Sequence, residues 1–584
     1  MTPTRTSKLA TRAINGLHSR FSENTITYAL SIIVGLIAGV GAFVFRHLIN
    51  VMTWFSFTVI PDAAGAWGHY VWFVLPAVGG LLVAPVIYFF AREAKGHGVP
   101  EVMAAVATKG GHMRPRVAFA KAIGSAFTIG TGGSAGSEGP IVQIGAGLGS
   151  TLGQIFRMSD KRVINLLACG AGGGISAIFN APIAGVFFAI EVIIGDVSSQ
   201  YVGPIVISSV VAAAFMQSMV GDHPSFLVPE YSMVSPWEMA LYAGLGVVAA
   251  LAAILFIKLL YASEDLFDNW KAHPLVKPAV GGIGVGIIGY YYHSALGTGA
   301  TGIEDALRVN LPLSLLLVLF LAKMATTCFT LGSGGSGGIF APALFMGAML
   351  GGAFGVLANL WFPGVAASPG AYALVGMAAM FAGSAHAPIT SILILFEMTG
   401  DYRIILPLML SCTISVLIVQ WLLKESIYSI KLTRKGIVYK GGYNVNILET
   451  IHVAEVMLRT VQFVSNKDTV DSVRTLMETS DHHGFPVLDK QGKLCGIICG
   501  SDVRQAISSG RGHELVSTIA SSHVITANPD ETLYEVLKRF GSRDLGHLPV
   551  VDPVDSSRVV GLITRADILE AYQRAQLLEA SRQD

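Results

Sequence analysis

Glu138 stands in the stretch TGGSAGSEGP (Thr131–Pro140), a carboxylate among glycines and small hydroxyls. A second stretch, GSGGSGGIFAP (Gly332–Pro342), repeats the glycine pattern without the acid. Both precede apolar segments. Glycine lets the backbone approach a ligand closely, and the free N–H groups and dipole at a helix N-terminus attract anions. Two such termini, facing one another, would hold a dehydrated anion without burying a full cation. Glu138 would then be a tethered rival for the same donors, seated when ionised, released when protonated, and so a gate. Burial favours its neutral form and N–H donors favour its charged form; the sequence leaves that balance open. The plainer alternative is a glutamate that only caps a helix.

Other chemistries fit less well. GGSAG (Gly132–Gly136) and GGSGG (Gly334–Gly338) match the G-x-S-x-G nucleophile elbow of a hydrolase. That elbow needs a preceding strand and a histidine partner, whereas apolar helical sequence precedes both copies, so no enzymatic role and no catalytic residue is expected. The five cysteines show no framework spacing. Cys495 and Cys499 lie four apart without histidine or cysteine partners nearby, so reduced thiols and no metal site are expected.

The elements that must position Glu138 are membrane elements. The chain has 584 residues, 52% hydrophobic and 13% charged, with a mean hydropathy of +0.59. These values specify an integral membrane protein. A net charge of +1 argues against nucleic-acid binding. Residues 1–25 are polar and basic (Arg5, Lys8, Arg12, Arg20), and the apolar run from Ile26 is too long for a signal core. They read as a cytoplasmic N-terminal segment. The C-terminal third is water-soluble in character; with both termini cytoplasmic, the number of crossings is even. Ile26–Phe45, Met239–Leu260 and Leu313–Leu331 are long enough to span a bilayer. Ile141–Phe156, Ile164–Ile178 and Pro182–Ile194 read as too short, and short segments predict broken or re-entrant helices around a protein-lined cavity.

The apolar part repeats itself. APIAGVFFAIE (Ala181–Glu191) matches APITSILILFE (Ala387–Glu397), and the two glycine stretches are separated by the same interval of roughly 200 residues. This predicts an all-α polytopic membrane domain over residues 26–435, built from inverted repeats at about 26–225 and 235–430, with a site where they meet. Glu191 and Glu397 occupy matching positions and read as structural, pairing or capping at the cytoplasmic side. A linker at 436–448 leads to a soluble α/β module. There GFPVLDKQGKLCGIICGSDV (Gly484–Val503) parallels GHLPVVDPVDSSRVVGLITRADI (Gly546–Ile568). Each reads strand, turn, strand, then a helix opened by an aspartate, with TLMETSD and VLKRFGS supplying the preceding helices.

Five motifs in order carry a family resemblance: GHGVPE (Gly96–Glu101), GSEGP (Gly136–Pro140), FNAPIAGVFFAIE (Phe179–Glu191), GSGGSGGIFAP (Gly332–Pro342) and SIYSIKL (Ser426–Leu432). They cover nearly the whole apolar part, which resembles the CLC family of chloride channels and proton–chloride exchangers. The resemblance implies that Glu138 is the gating glutamate. It implies that Gly136, Ser137 and Glu138 offer backbone donors to an outer anion position. It implies that Ile339 and Phe340 offer backbone N–H groups, and Tyr428 its phenolic O–H, to a central anion. A homodimer with one path per subunit, chloride and protons as the transported species, and lipid as surroundings follow from the same resemblance. No cofactor is required.

Two departures matter. The family's first motif usually carries a serine that holds the central anion; here it is His97. Imidazole donates N–H and ordinarily titrates near pH 6.5, so His97 is expected to contact the anion and make transport pH-sensitive, the alternative being a histidine that bonds a wall carbonyl. Proton-coupled members often have a glutamate where this chain has Val192, which carries no proton. The expected function is chloride transport gated by Glu138 in a conductive or loosely proton-coupled mode. Stoichiometric proton–chloride antiport is the alternative, and nitrate or fluoride transport a minor one.

The soluble module resembles tandem CBS domains, at 449–507 and 516–571, which often bind adenine nucleotides. The ribose- and phosphate-contacting pattern is met by Gly561, Thr564 and Asp567. In the first copy Gly496 and Asp502 fit, but Cys499 replaces the hydroxyl. A ligand-free dimerisation module is the equal alternative. CBS pairs also occur on magnesium transporters, but that hard cation wants carboxylates and water, and the apolar core offers glycine amides.

Overall fold

The computed structural model describes residues 22–195, 199–221, 235–308, 311–435, 437, 448, 451–480, 484–522, 524–542, 546–553 and 555–580. The basic N-terminal segment up to residue 21, and all of the 436–448 linker except Ile437 and Leu448, lie outside them. Two compact units form, Met1–Tyr443 and Asn444–Asp584.

The first unit is helical, and among its described residues eight helices are long and apolar enough to cross a membrane. Its elements recur in the same order twice. Glu23–Trp54, Gly68–Pro85, Val99–Thr108, Pro115–Gly130, Glu138–Ile155, Asp160–Phe179, Pro182–Phe188 and Ser199–Val220 make the first set. Glu238–Asn269, Lys277–Tyr291, Ala300–Arg308, Leu313–Gly332, Phe340–Trp361, Pro369–Ala385, Pro388–Thr399 and Ile405–Leu422 make the second, and Ser429–Arg434 follows. One expectation is corrected. Ile164–Ile178 read as too short to span, yet the helix runs over 20 residues, Asp160–Phe179. Its first turn is the polar Asp160-Lys161-Arg162, with the acid at the favourable N-terminal end, so an apolar run undercounts it.

The backbone shows the duplication more finely than the sequence does. Asn180 and His386, the residues ending the Asp160 and Pro369 helices, both adopt the left-handed conformation, at φ 55° and φ 57°. That conformation is unusual for non-glycine residues, so finding it at equivalent positions marks a shared turn. Small residues let the layers touch. An added Cβ at Gly145 would lie 2.1 Å from the Gly170 carbonyl oxygen, and one at Gly347 would lie 2.4 Å from that of Gly376. The helix pairs Glu138–Asp160 and Phe340–Pro369 therefore approach backbone to backbone, as membrane helices do through small residues.

Contacts between the repeats are reciprocal. An added Cβ at Gly80 would meet the Pro278 carbonyl oxygen at 2.3 Å, and one at Gly282 would meet that of Pro76 at 2.3 Å. The Glu397 carboxylate accepts from the N–H groups of Ile183 (3.0 Å) and Ala184 (2.7 Å). The Glu191 carboxylate accepts from those of Ile389 (3.2 Å) and Thr390 (2.8 Å), and from the Thr390 hydroxyl (2.6 Å). Each glutamate caps the N-terminus of the other repeat's helix, satisfying donors that the helix itself leaves unpaired.

In the second unit, Val464–Ser465 pairs in parallel with Gly484–Leu488, which pairs antiparallel with Leu494–Cys499; His547–Val551 pairs antiparallel with Val559–Thr564. Helices Val470–Thr479 and Leu533–Ser542 precede the hairpins, while Gly500–Ser508 and Arg565–Ala580 follow them. The repeats exchange their leading segments. Leu458 bridges to Leu562 and Ser521 bridges to Ile497. Leu448 and Val453 accordingly sit in the core of the second repeat, and Val516 in that of the first. The repeats are interleaved and bury their apolar faces jointly.

The reciprocal caps generate a stability prediction. Glu397→Ala and Glu191→Ala each leave two helix N-terminal donors without acceptors, and each is expected to cost about 1–3 kcal/mol. Thermal unfolding of the purified protein in detergent checks this, with Glu397→Gln losing less than Glu397→Ala. Wild-type melting of both alanine variants would remove the capping role.

Candidate functional site

Three loops meet between the repeats. Gly96 donates to the Gly335 carbonyl (3.0 Å) and accepts from Gly337 (3.2 Å), while Gly136 and Gly338 exchange both backbone hydrogen bonds, at 2.8 and 2.6 Å. The Gly136 N–H, expected as an anion donor, is thus already spent on Gly338. The reason is that both helix-breaking loops carry unsatisfied backbone groups, and they satisfy them on each other. Hydroxyls complete the seam in a two-fold pattern. Ser134 N donates to Thr330 Oγ1 and Ser336 N donates to Thr128 Oγ1. The Ser134 hydroxyl pairs with Thr327, and that of Ser336 with Ser125, each at 2.9 Å. Ser134 and Ser336 are both fully buried, and helices, not strands, precede their loops.

Ser137 sits at the N-cap of the Glu138–Ile155 helix, which puts Glu138 at its first residue. The Glu138 side chain is buried, with Oε2 accepting from the Ala341 N–H at 3.4 Å. Ala341 belongs to the first turn of the Phe340–Trp361 helix of the other repeat, for which Ile339 is the N-cap. The acid of one repeat therefore occupies the N-terminus of the other repeat's helix. Glycine makes room for it: an added Cβ would stand 1.9 Å from Oε2 at Gly136 and 3.2 Å at Gly338. The N–H groups of Ile339 and Phe340 open this helix and have no partner within it. The Phe340 ring is fixed between Phe179 (5.0 Å) and Phe381 (4.3 Å).

His97 is 3% exposed, and neither of its ring nitrogens has a hydrogen-bond partner. It bonds no wall carbonyl. Its ring lies 5.9 Å from that of Tyr428, itself 2% exposed at the N-cap of the Ser429–Arg434 helix. The His97 carbonyl abuts Gly139, where an added Cβ would sit 2.1 Å away. Gln143 Oε1, 3.0 Å from an added Cβ at Gly98, is likewise unpaired. A buried polar group without a partner marks a place where a solute or water binds. Val192, in contrast, is buried in the apolar core.

Two residues escaped the sequence reading. Lys121 and Lys323 are both fully buried. Lys121 Nζ donates to the carbonyls of Ala94 (3.1 Å) and Gly96 (2.5 Å). Lys323 Nζ donates to those of Ala295 (3.1 Å) and Gly297 (2.8 Å). Each lysine ties a helix-breaking loop to the helix that leads into a glycine stretch. The available signal was one lysine inside each of two apolar runs, AFAKAIG and FLAKMAT, at the same interval as the glycine motifs. A cavity of about 720 Å³ reaches this seam from one side; its lining includes Ser137, Glu138 and Ala341.

In the second unit, Thr564 donates from its N–H and its hydroxyl to Asp567, both at 2.8 Å. The Cys499 N–H donates to Asp502 at 2.9 Å. Both aspartates act as helix caps. Burial, and next the Asp502 carboxylate, push the Cys499 thiol up to about 11, so it stays a neutral and weak donor. The second repeat retains a hydroxyl–carboxylate pair suited to phosphate and ribose, and the first does not.

Comparisons agree with this geometry. The family profile described as "Voltage gated chloride channel" matches residues 79–420, and that of the CBS domain matches 453–509 and 516–574. The chain is 32% identical to the "H(+)/Cl(-) exchange transporter ClcA" of Vibrio cholerae over 446 residues, covering 73% of this chain and 93% of the relative. It is 29% identical to the "Chloride channel protein CLC-f" of Arabidopsis thaliana, covering 89% and 76%. The crystal structure of a slow cyanobacterial Cl-/H+ antiporter superposes with a TM-score of 0.65 at 26% identity, covering 70% of this chain and 97% of that one.

Proposed function

The chain belongs to the voltage-gated chloride channel (CLC) family and carries two CBS domains, and from that premise we propose that it conducts chloride along a path gated by Glu138. The observation that carries this reading is the Glu138 carboxylate held by the Ala341 N–H at the opposing helix tip. An ionised side chain fills the anion's place. A neutral one loses the charge-assisted hydrogen bond and yields the donors to chloride. Ser137 and Glu138 contribute the outer backbone donors. Ile339, Phe340 and Tyr428 contribute the central ones, with His97 adding an imidazole N–H where its ring nitrogens are unpaired.

The mode is conductive or loosely proton-coupled, because Val192 has no proton to pass. Stoichiometric antiport is the second reading, supported by the exchange activity in the name of the Vibrio cholerae relative. The basic character of residues 1–25 and the water-soluble character of the C-terminal third support cytoplasmic termini; in this reading the cavity opens to the other side, and two chains pair with a path in each. At the CBS pair an adenine nucleotide occupies one half-site, with Thr564 and Asp567 holding phosphate and ribose. The nucleotide would supply regulation, not chemistry.

Three outcomes are expected. In liposomes, Glu138→Gln loses most of the change in chloride rate between about pH 4 and 7.5, keeping only the part that His97→Ala removes, and the reversal voltage ignores an imposed proton gradient. A wild-type pH response in this variant would end the gating role, whereas a proton-dependent reversal voltage in the wild type selects antiport. His97→Ala shifts the chloride-to-nitrate permeability ratio and the acid response; if both stay at wild-type values, the imidazole is not a ligand. Calorimetry on the full chain detects about one ATP or AMP per chain, weakened at least roughly tenfold by Asp567→Ala, the loss of a hydrogen bond to a charged group. No binding heat in the wild type assigns the pair a structural role.

A further inference from the structure

Among the described residues, the cavity that ends at Glu138 has one fixed cation in its wall. A face of the Glu23–Trp54 helix lines it through Arg46, Ile49, Asn50 and Thr53. The i, i+3, i+4, i+7 spacing of these four marks a single stripe turned to the cavity. Among the described residues lining it, Arg46 is the only arginine or lysine and Glu138 the only acid. Arg46 has no ion-pair partner among the described residues. The contrast with the cations near His97 and Tyr428 is sharp. Lys95 pairs with Asp268, Lys431 with Glu264, Arg434 with Asp265 and Lys435 with Glu101. On that side these four cations are paired with acids, while the buried Lys121 bonds only carbonyls. On the cavity side Arg46 has no acid beside it among the described residues.

We propose that Arg46 is the anion-capture residue of this cavity, holding an incoming monovalent anion before it reaches the Glu138 position. A guanidinium is always ionised and its hydration is weak, so it gives up water to an anion readily. The apolar wall around it, which includes Phe57, Trp72 and Ile178, focuses its field into the cavity. The exposed Arg46 end collects the anion, and the buried helix tip at Ala341 receives it when Glu138 leaves. This deepens the proposed chloride path and rests on it.

The test uses the full chain in planar bilayers, with chloride varied on one face and an impermeant organic anion balancing charge. Arg46→Gln is expected to raise the half-saturating chloride concentration on the cavity face about three- to tenfold at low ionic strength, with little change on the opposite face. Arg46→Lys restores most of the difference. In the wild type, raising ionic strength with impermeant salt reproduces the Arg46→Gln value, a readout that needs no variant to fold. Unchanged half-saturation in Arg46→Gln, equal shifts on both faces, or salt-independent capture in the wild type would each overturn the proposal. If the wild type carries chloride under control of Glu138 and one of these results appears, capture by Arg46 fails alone. If the wild type carries no chloride, the proposed path fails and this inference with it.

Discussion

The structure turns on one constraint: a backbone that leaves its helix inside an apolar layer must find partners for every N–H and C=O it frees. Two helix-breaking glycine loops, one from each repeat, meet this constraint mainly on one another. Gly136 and Gly338 exchange hydrogen bonds, and the threonines of one repeat receive the serine N–H groups of the other. Lys121 and Lys323 cover four further carbonyls. What the pairing leaves over includes the helix-start donors at Ser137 and Glu138 and at Ile339, Phe340 and Ala341; the Glu138 carboxylate takes the last of these. The site is therefore the remainder of a folding problem, and a two-fold seam places that remainder on the axis between the repeats.

Much of this was legible in the sequence, for a physical reason. An acid among glycines in an apolar run has few structural explanations, and a duplicated glycine pattern announces a duplicated helix start. The placement of Glu138 at a helix start and the doubled architecture follow from those two features. Which donors are free did not follow. Gly136 carries the same residue type whether its N–H binds an anion or a neighbouring carbonyl, and only the register between the loops decides. The buried lysines were hidden for a similar reason, since their partners are main-chain carbonyls, which no side-chain motif records. In the soluble unit, strand, turn and helix order was readable from local pattern, but the exchange of leading segments at Leu458 and Ser521 was not. Exchange depends on which repeat's core accepts Val453 and Val516.

The reciprocal glutamates show how the same economy works away from the seam. Glu191 and Glu397 each cap the partner repeat's helix, so neither repeat has a complete hydrogen-bond inventory by itself. Each half relies on the other for these acceptors, while the halves differ elsewhere. The divergence is visible: the acid at Glu138 has Phe340 at its repeat position, so a symmetric scaffold carries an asymmetric site.

That asymmetry continues along the path. On one side of the seam, His97 and Gln143 present unpaired polar atoms, Lys431 and Lys435 are matched with acids, and Lys121 is held by carbonyls. Val192, in the helical segment Ala189–Ile194 that continues Pro182–Phe188, offers only methyl groups within the apolar core. Polar atoms without partners hold water or ions, and methyl groups exclude them. The two positions therefore differ in kind: His97 carries two nitrogens without partners, and Val192 carries only carbon within the apolar core.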